Sequence, residues 1–556
     1  MFFKLRIIFI ILFLLNIVMF ARNDAEAKSD YAEALSEILK VFPDSNIEAK
    51  EKYGEPEKPD VEFSKDMKFL NMTLKDSIIL ALQNNYDIKI AKLDPMMEEK
   101  DITAAKSVFD PVFEITGEIA DTETPSNSGV LVGIVGQEPA RFERDTKTID
   151  ALLEKLFSTG AMFTLGFNIE RSDVNPVSVF TLENPVTQGF IEAKITQPLL
   201  RNAGIFYNRS NIYIARNNKE KSILELKEKA IEVINSVQKA YWELVKIIEE
   251  LRVRNKSLES AEDLLRKNRI QAKVGTLAPI EVLVAEDGVA KKMNDIIEAE
   301  NDIKNREDDL KLIMNLSNHS ILSDAAIIPL DKASFAITDV TFDESIKIAL
   351  ANRPELFKQG LAIENARITV KQTRNELLPK LDAEAGIRYS GLSDTFGNAS
   401  DRIFSEDFQS QFFGFALEVP LGNRKARSNY SNAKLEARKK ILERSKQEQD
   451  IVVEVRTAVR EIKKNVESIK ATKKARDLAQ ERLKAEEKKF KVGRSISLEV
   501  LRAQDNLTIA EGKAVNALVD YQISLGDLDA KMGTILEKND IIIEDEDLVV
   551  KEDLTP

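Results

Sequence analysis

The feature that most constrains this 556-residue chain is that it contains the same unit twice. Thr73-Leu-Lys-Asp-Ser-Ile-Ile-Leu-Ala-Leu-Gln-Asn84 returns as Thr341-Phe-Asp-Glu-Ser-Ile-Lys-Ile-Ala-Leu-Ala-Asn352, displaced by 268 residues. The same displacement carries Asp110-Pro111 onto Leu378-Pro379, whereas Lys273-Val-Gly275 returns as Lys491-Val-Gly493, displaced by 218. The halves therefore match at both ends and differ by 50 residues between. Units that repeat in this way bury their apolar faces against one another, so the expected architecture is two elongated, similar halves rather than a string of unrelated domains.

Between the repeated ends the dominant pattern is helical. From about Ile205 to Val274 there is no proline, and Ile234, Val237, Tyr241, Leu244, Ile248, Leu251, Leu258 and Leu265 trace a coiled-coil seam. Val455, Val459, Ile462, Val466 and Ile469 repeat that seam in phase with the second Lys-Val-Gly. Farther on, Asn255 and Leu258 map onto Lys473 and Arg476, so the second half is expected to pack differently there. A helix of about 70 residues is roughly 105 Å long, more than a compact globule can hold. Gly275 and Gly493 end these helices, and Pro279 or Ser495-Ile-Ser497 starts each return, giving two antiparallel hairpins, 205–316 and 424–536.

Between Pro111 and Pro198, and between Pro379 and Pro420, the period changes to two. Leu381, Ala383, Ala385, Ile387 and Tyr389 alternate with polar or small neighbours, as do Phe413, Phe415, Leu417 and Val419. Phe113, Ile115 and Ile119 do so in the first half, as do Ile191, Ala193 and Ile195. Runs of about nine residues suit tilted strands with one face to lipid and the other to a polar lumen. Each run alone would also suit a soluble sheet. Phe163 to Ile169, within the extra 50 residues, either extends an exterior loop or adds a strand. Four strands cannot close a barrel of useful width, and open edges are not viable in lipid, so membrane strands require oligomerisation.

Residues 1–27 have the form of a secretory signal: Lys4 and Arg6, the apolar run Ile7 to Phe20, and Ala25-Glu-Ala27. No later stretch has the 18 apolar residues of a membrane helix. Cysteine is absent, and the single histidine, His319, is expected in a helix-terminal turn without a catalytic or metal role. The net charge of −13, from 80 basic and 93 acidic residues, argues against nucleic acid as a partner. Residues 28–70 read as an N-terminal extension, 321–340 as an inter-repeat linker and 537–556 as an acidic tail with little core. No Walker loop, dinucleotide fingerprint or metal cluster is visible, so no enzyme activity and no cofactor are expected. Periodicity alone leaves open a secreted coiled-coil scaffold or a periplasmic adaptor.

Over residues 70–536 the chain resembles the TolC-like outer-membrane efflux proteins. The resemblance rests on the duplicated opening helix (Thr73 to Tyr86; Thr341 to Pro354, with Asn352-Arg-Pro354). It extends to the strand exits Gln197-Pro198-Leu199 and Val419-Pro420-Leu421. It also covers the tips, where Val-Gly is followed, after five intervening residues, by an acid, Val and Leu: Val274-Gly275 to Leu283, and Val492-Gly493 to Leu501. The fold it implies is mainly α with membrane β-strands. A duplicated helix-strand-strand-helix unit, 71–320 and 341–536, gives four strands per chain, and a homotrimer forms a 12-stranded β-barrel continued by a helical barrel through the periplasm. The implied function is a passive exit duct in the outer membrane, surrounded by outer-membrane lipid, serving an inner-membrane transporter through a periplasmic adaptor. The adaptor would meet the tips, Lys273, Val274, Gly275, Thr276, Lys491, Val492, Gly493 and Arg494. Glu281 and Glu499 would line a pore constriction. Where family members often carry a second acid, this chain has Arg502, which can pair with Glu499.

Overall fold

The opening helix of the first repeat starts where its sequence says it should. In the computed structural model, which describes residues 69–126, 140–175, 177, 181–316, 325–336, 340–405, 407–544 and 547–550, Thr73 accepts from the Asp76 N–H, and Asp76 reaches back to the Thr73 N–H. This reciprocal box satisfies two donors that the first helical turn would otherwise leave unpaired. The elements in chain order are β1 (Phe69–Met72), α1 (Leu74–Asn84), α2 (Tyr86–Ser107), β2 (Val112–Ser126), β3 (Ala140–Leu156), β4 (Met162–Asn175), β5 (Val186–Pro198), α3 (Ile205–Lys273) and α4 (Pro279–Ile313). After β6 (Ala326–Pro329) come α5 (Phe342–Asn352), α6 (Pro354–Asn375), β7 (Lys380–Ser393), α7 (Phe396–Phe404), β8 (Gln409–Glu418), α8 (Arg424–Lys491) and α9 (Ser497–Met532). A short α10 (Ile535–Lys538), β9 (Ile541–Glu544) and β10 (Asp547–Val550) follow. The signal, most of the N-terminal extension and His319 lie outside the described residues.

These elements divide into two units. The helical unit takes the described parts of 58–101, 215–366 and 436–556. Its larger core is the first-half seam, with Ile234, Val237, Tyr241 and Leu244 fully buried among Met72, Ile78, Leu310 and Met314. A second core repeats the arrangement around Val455, Val459, Ile462 and Tyr521. Tyr241 is the polar centre of the first. Its hydroxyl oxygen lies 2.9 Å from Asp331 Oδ2 and 3.1 Å from the Met72 carbonyl, and Asp331 also accepts the Leu74 N–H at 2.7 Å. Burial pushes the Tyr241 phenol well above its ordinary range, so it remains a donor.

Three expectations need correction here. The 321–340 linker contains β6, which pairs in parallel with β1 from Phe69↔Ala326 to Met72↔Pro329 and so draws the end of the N-terminal extension into the core. The acidic tail likewise begins with structure: β9 pairs with β10, and Ile541 is buried in the first core. Farther along α3 the buried stripe is Ser257, Ala261, Leu264 and Asn268, one position away from the expected Leu258 and Leu265. Small and polar residues suit that stripe because α9 packs close against it, as the hydrogen bonds from Gln504 to the Ser260 carbonyl and from Thr508 to Ser257 require.

The strand unit, from 102–214 and 367–435, is one antiparallel sheet in the order β2-β3-β4-β5-β7-β8. Among the described residues it has six strands, where four were expected. The extra 50 residues of the first half supply two whole strands, β3 and β4, joined by a turn at Gly160 (φ 94°). Every registered pair joins odd-numbered to odd-numbered or even-numbered to even-numbered residues. One face therefore carries Phe113, Ile115, Leu153, Leu165, Ala193, Ile195, Ile387, Phe413 and Phe415. The other carries Glu114, Thr148, Thr164, Glu192, Lys194, Glu384 and Arg388. On the polar face Lys194 meets Glu384 at 3.0 Å, and Arg388 pairs with Glu192. α7, capped by Thr395, lays Ala399 and Ile403 on the apolar face against Ala151, Phe167 and Ile169, where Gly391 lacks the Cβ that would collide with the Ala399 carbonyl.

Candidate functional site

Both hairpin tips end their long helices in the same way. Gly275 sits at φ 81°, and its N–H donates to the Ala272 carbonyl at 3.0 Å while the Thr276 N–H reaches Gln271 at 2.9 Å. Gly493, at φ 72°, does the same with Phe490 at 3.0 Å, and the Arg494 N–H reaches Lys489 at 2.9 Å. These paired bonds close the last helical carbonyls. An added Cβ at either glycine would meet nothing within 4 Å, so the backbone dihedral alone demands glycine. Gly493→Ala is therefore expected to destabilise the tip by about 1–2 kcal/mol. The expected result is faster hydrogen exchange at the Arg494 amide; unchanged exchange would contradict the assignment.

The return helices solve their starts differently. Pro279 opens α4, where its missing N–H costs nothing. α9 starts after Ile496, with no side chain of its own as cap. Glu281 of the first hairpin fills that role: its Oε2 accepts the Ser497 N–H at 2.8 Å, placing a carboxylate at the positive end of the helix. Asn268, fully buried on α3, donates to Ser497 Oγ at 2.7 Å and to the Glu281 carbonyl at 3.1 Å. Glu281 is thus tied into the junction between the first hairpin and α9. Two turns farther along α4, Gly288 leaves room for Leu501, whose Cδ2 would lie 2.8 Å from an added Cβ, and Lys292 meets Asp505 at 2.5 Å.

Glu499 stands apart from that junction. It forms the expected pair with Arg502 at 2.7 Å, with both side chains largely exposed, so the pair adds little stability. At the second tip the Ser495 hydroxyl, and after it the Lys489 ammonium, hold the Glu486 carboxyl below its usual range. Lys273, Thr276, Lys491 and Arg494 are exposed around Val274 and Val492, themselves 73% and 70% exposed. Each tip is an apolar point among cations.

Sequence reading picked out Glu281, Glu499 and Arg502, and the structure brings Glu281 to the start of the helix that carries the other two. It missed Asn268, and it read Ser497 as part of a helix start without its partners Asn268 and Glu281. The only sequence signal of Asn268 is a polar residue at helical spacing from Ser257, Ala261 and Leu264, a stripe that reads equally well as solvated surface. Among the described residues no cluster of acids or histidine is arranged to hold a metal, and no helix is long and apolar enough to cross a membrane.

The comparisons with known proteins converge on this architecture. The family model for outer membrane efflux proteins matches residues 78–316 and 345–534, one stretch in each repeat. The outer membrane protein TolC of Vibrio cholerae serotype O1 is 25% identical over 430 residues, covering 75% of this chain and 90% of its own. Among solved structures, the MtrE outer membrane channel of Neisseria gonorrhoeae in its open state superposes with a TM-score of 0.57 at 17% identity, over 83% of this chain and 89% of its own. The outer membrane protein VceC of Vibrio cholerae gives 0.58 at 14%, over 83% and 96%. Matched in both halves and similar in fold across nearly the whole of these relatives, the chain belongs to the outer membrane efflux protein family.

Proposed function

We propose that this chain is the passive outer-membrane exit duct of a tripartite efflux or type I secretion system. Members of its family are outer-membrane channels that extend into the periplasm, assemble as trimers and work with adaptors and inner-membrane pumps. The observation that carries the reading for this chain is the two-faced alternation across the middle of its sheet. Across the middle of the sheet Ile115, Leu153, Leu165, Ala193, Ile387 and Phe413 turn one way and Glu114, Thr148, Thr164, Glu192, Glu384 and Arg388 the other, the pattern of a wall between lipid and an aqueous lumen. A secreted scaffold would have no use for a band such as Phe413, Phe415 and Leu417, each more than 60% exposed. Transport along such a duct draws its energy from the pump.

The tips are the proposed adaptor contact, made by Lys273, Val274, Gly275, Thr276 and their counterparts Lys491, Val492, Gly493 and Arg494. The proposed constriction is formed by Glu281, Glu499 and Arg502 from each of three copies. Charged rings of this kind set ion preference by local field. Two elements support different roles within it. Glu281 holds α9 to the first hairpin, while Glu499 and Arg502 are the groups open to passing ions.

The test is single-channel recording of detergent-extracted protein in a planar bilayer, with oligomeric mass taken from the same sample. Discrete pores from a trimer are expected, and Glu281→Gln combined with Glu499→Gln should change cation block or conductance. A soluble, non-conducting rod would overturn the duct. Pores with identical currents in the double variant would overturn the ring alone.

A further inference from the structure

We infer that the membrane wall of the assembled channel contains eighteen strands, six from each of three copies, so that its bore is about 1.5 times as wide as a twelve-stranded wall of equal tilt. The inference rests on the trimeric duct proposed above. The two additional strands are not an appendage. β3 pairs with β2 along its whole length, from Val112↔Glu154 to Ser126↔Ala140, and β4 pairs with β5 from Met162↔Thr196 to Ser172↔Val186. Among the described residues of the sheet β2 bonds only to β3, so any wall that includes β2 must also include β3 and β4.

The chemistry of the hairpin agrees with its position. Leu153 on β3 and Leu165 on β4 stand in one row with Phe113, Ala193 and Ile387 on the apolar face. Thr148 and Thr164 stand on the polar face, and Asn168 donates to Asp150 there at 2.7 Å. A flap lying in solvent would have no reason to keep its apolar residues in register with those of the flanking strands. The outermost strands, β2 and β8, run in opposite directions because the sheet is antiparallel with an even number of strands. β8 of one copy can therefore pair antiparallel with β2 of the next, leaving no open edge in lipid. Eighteen strands fall in the range where barrels leave a water-filled channel rather than a packed interior. The occupant that fits each free edge is a second copy of this chain.

Conductance reports the narrowest point of a duct and would miss a wide exit, so the test is thiol labelling. The natural chain has no cysteine, which gives a silent background. Thr164→Cys and Leu165→Cys probe the hairpin; Thr196→Cys and Ile195→Cys on β5 are the controls. Reconstituted trimers, checked by mass, are treated with a charged, membrane-impermeant maleimide. Thr164→Cys and Thr196→Cys are expected to react at least about tenfold faster than Leu165→Cys and Ile195→Cys, because the latter face hydrocarbon. Equal, fast reaction at 164 and 165 with the contrast kept at 195 and 196 would place the hairpin outside the wall and overturn the inference, leaving the duct intact. Loss of contrast at both pairs, or absence of a trimer, would overturn the duct and the inference together. Thr148→Cys and Leu153→Cys on β3 ask the same question should the β4 variants fail to assemble.

Discussion

Tyr241→Ala is expected to destabilise the helical unit by about 3–5 kcal/mol, the range for deleting a fully buried aromatic side chain. Tyr241 is completely buried and packs edge-on against Trp242, with ring centroids 5.7 Å apart. Its removal opens a void at the centre of the first-half seam. It also strands Asp331, which bridges the Tyr241 hydroxyl and the Leu74 N–H and so fixes the start of the opening helix to the inter-repeat segment. Tyr241→Phe separates the two contributions: it keeps the ring and loses the hydrogen bonds, so about 1 kcal/mol is expected. Urea unfolding of the detergent-solubilised protein, followed by the fluorescence of Trp242, the only tryptophan, measures both. In a cycle with Asp331→Asn, coupling should appear between the two sites, since residues in one network do not behave additively. Strict additivity would remove Asp331 from the account, and a Tyr241→Ala cost below that of Tyr241→Phe would remove the packing argument.

Tyr241 was visible in the sequence because it lies on a seam of period 3.5 that the second half repeats; every position read there from Ile234 to Leu244 is buried. Legibility ended where the controlling contact is distant in sequence. β1 and β6 are four residues each and pair across more than 250 positions, with no local signature to announce them. β3 was missed for a different reason: it begins with Arg141, Glu143, Arg144, Asp145 and Lys147, and Leu152 beside Leu153 breaks the alternation, so neither face stands out until both neighbours are in place. At the tips, the glycines were legible because a left-handed residue ends a helix in a recognisable way. The junction built by Asn268, Glu281 and Ser497 was not, because a polar residue inside a long charged helix looks solvated until another helix arrives to bury it. The extra 50 residues illustrate the same limit. Their length was evident, but whether they formed a loop or strands depended on pairing.

That pairing makes the sheet the strongest place to test the face assignment. Ile387→Arg puts a charge on the apolar face in the row of Leu153, Leu165 and Ala193, clear of the residues covered by α7. A basic side chain on the lipid face near the bilayer midplane costs about 2–4 kcal/mol. Thr164→Arg adds the same group on the polar face, directly opposite Glu154, where water and a carboxylate receive it. The expected result is that Ile387→Arg lowers the yield of membrane-extracted trimer and its urea midpoint, while Thr164→Arg leaves both near the natural chain and alters ion selectivity. The reverse pattern would mean that the odd-numbered face lines the lumen. Equal tolerance of both would mean that neither face meets hydrocarbon, and the polar outward side of α7, with Asn398, Asp401 and Arg402, would then need no headgroup layer to receive it. The comparison is decisive because the two positions differ in parity but are close in height on the same sheet, so depth, strand propensity and added charge are nearly constant and only the facing solvent changes.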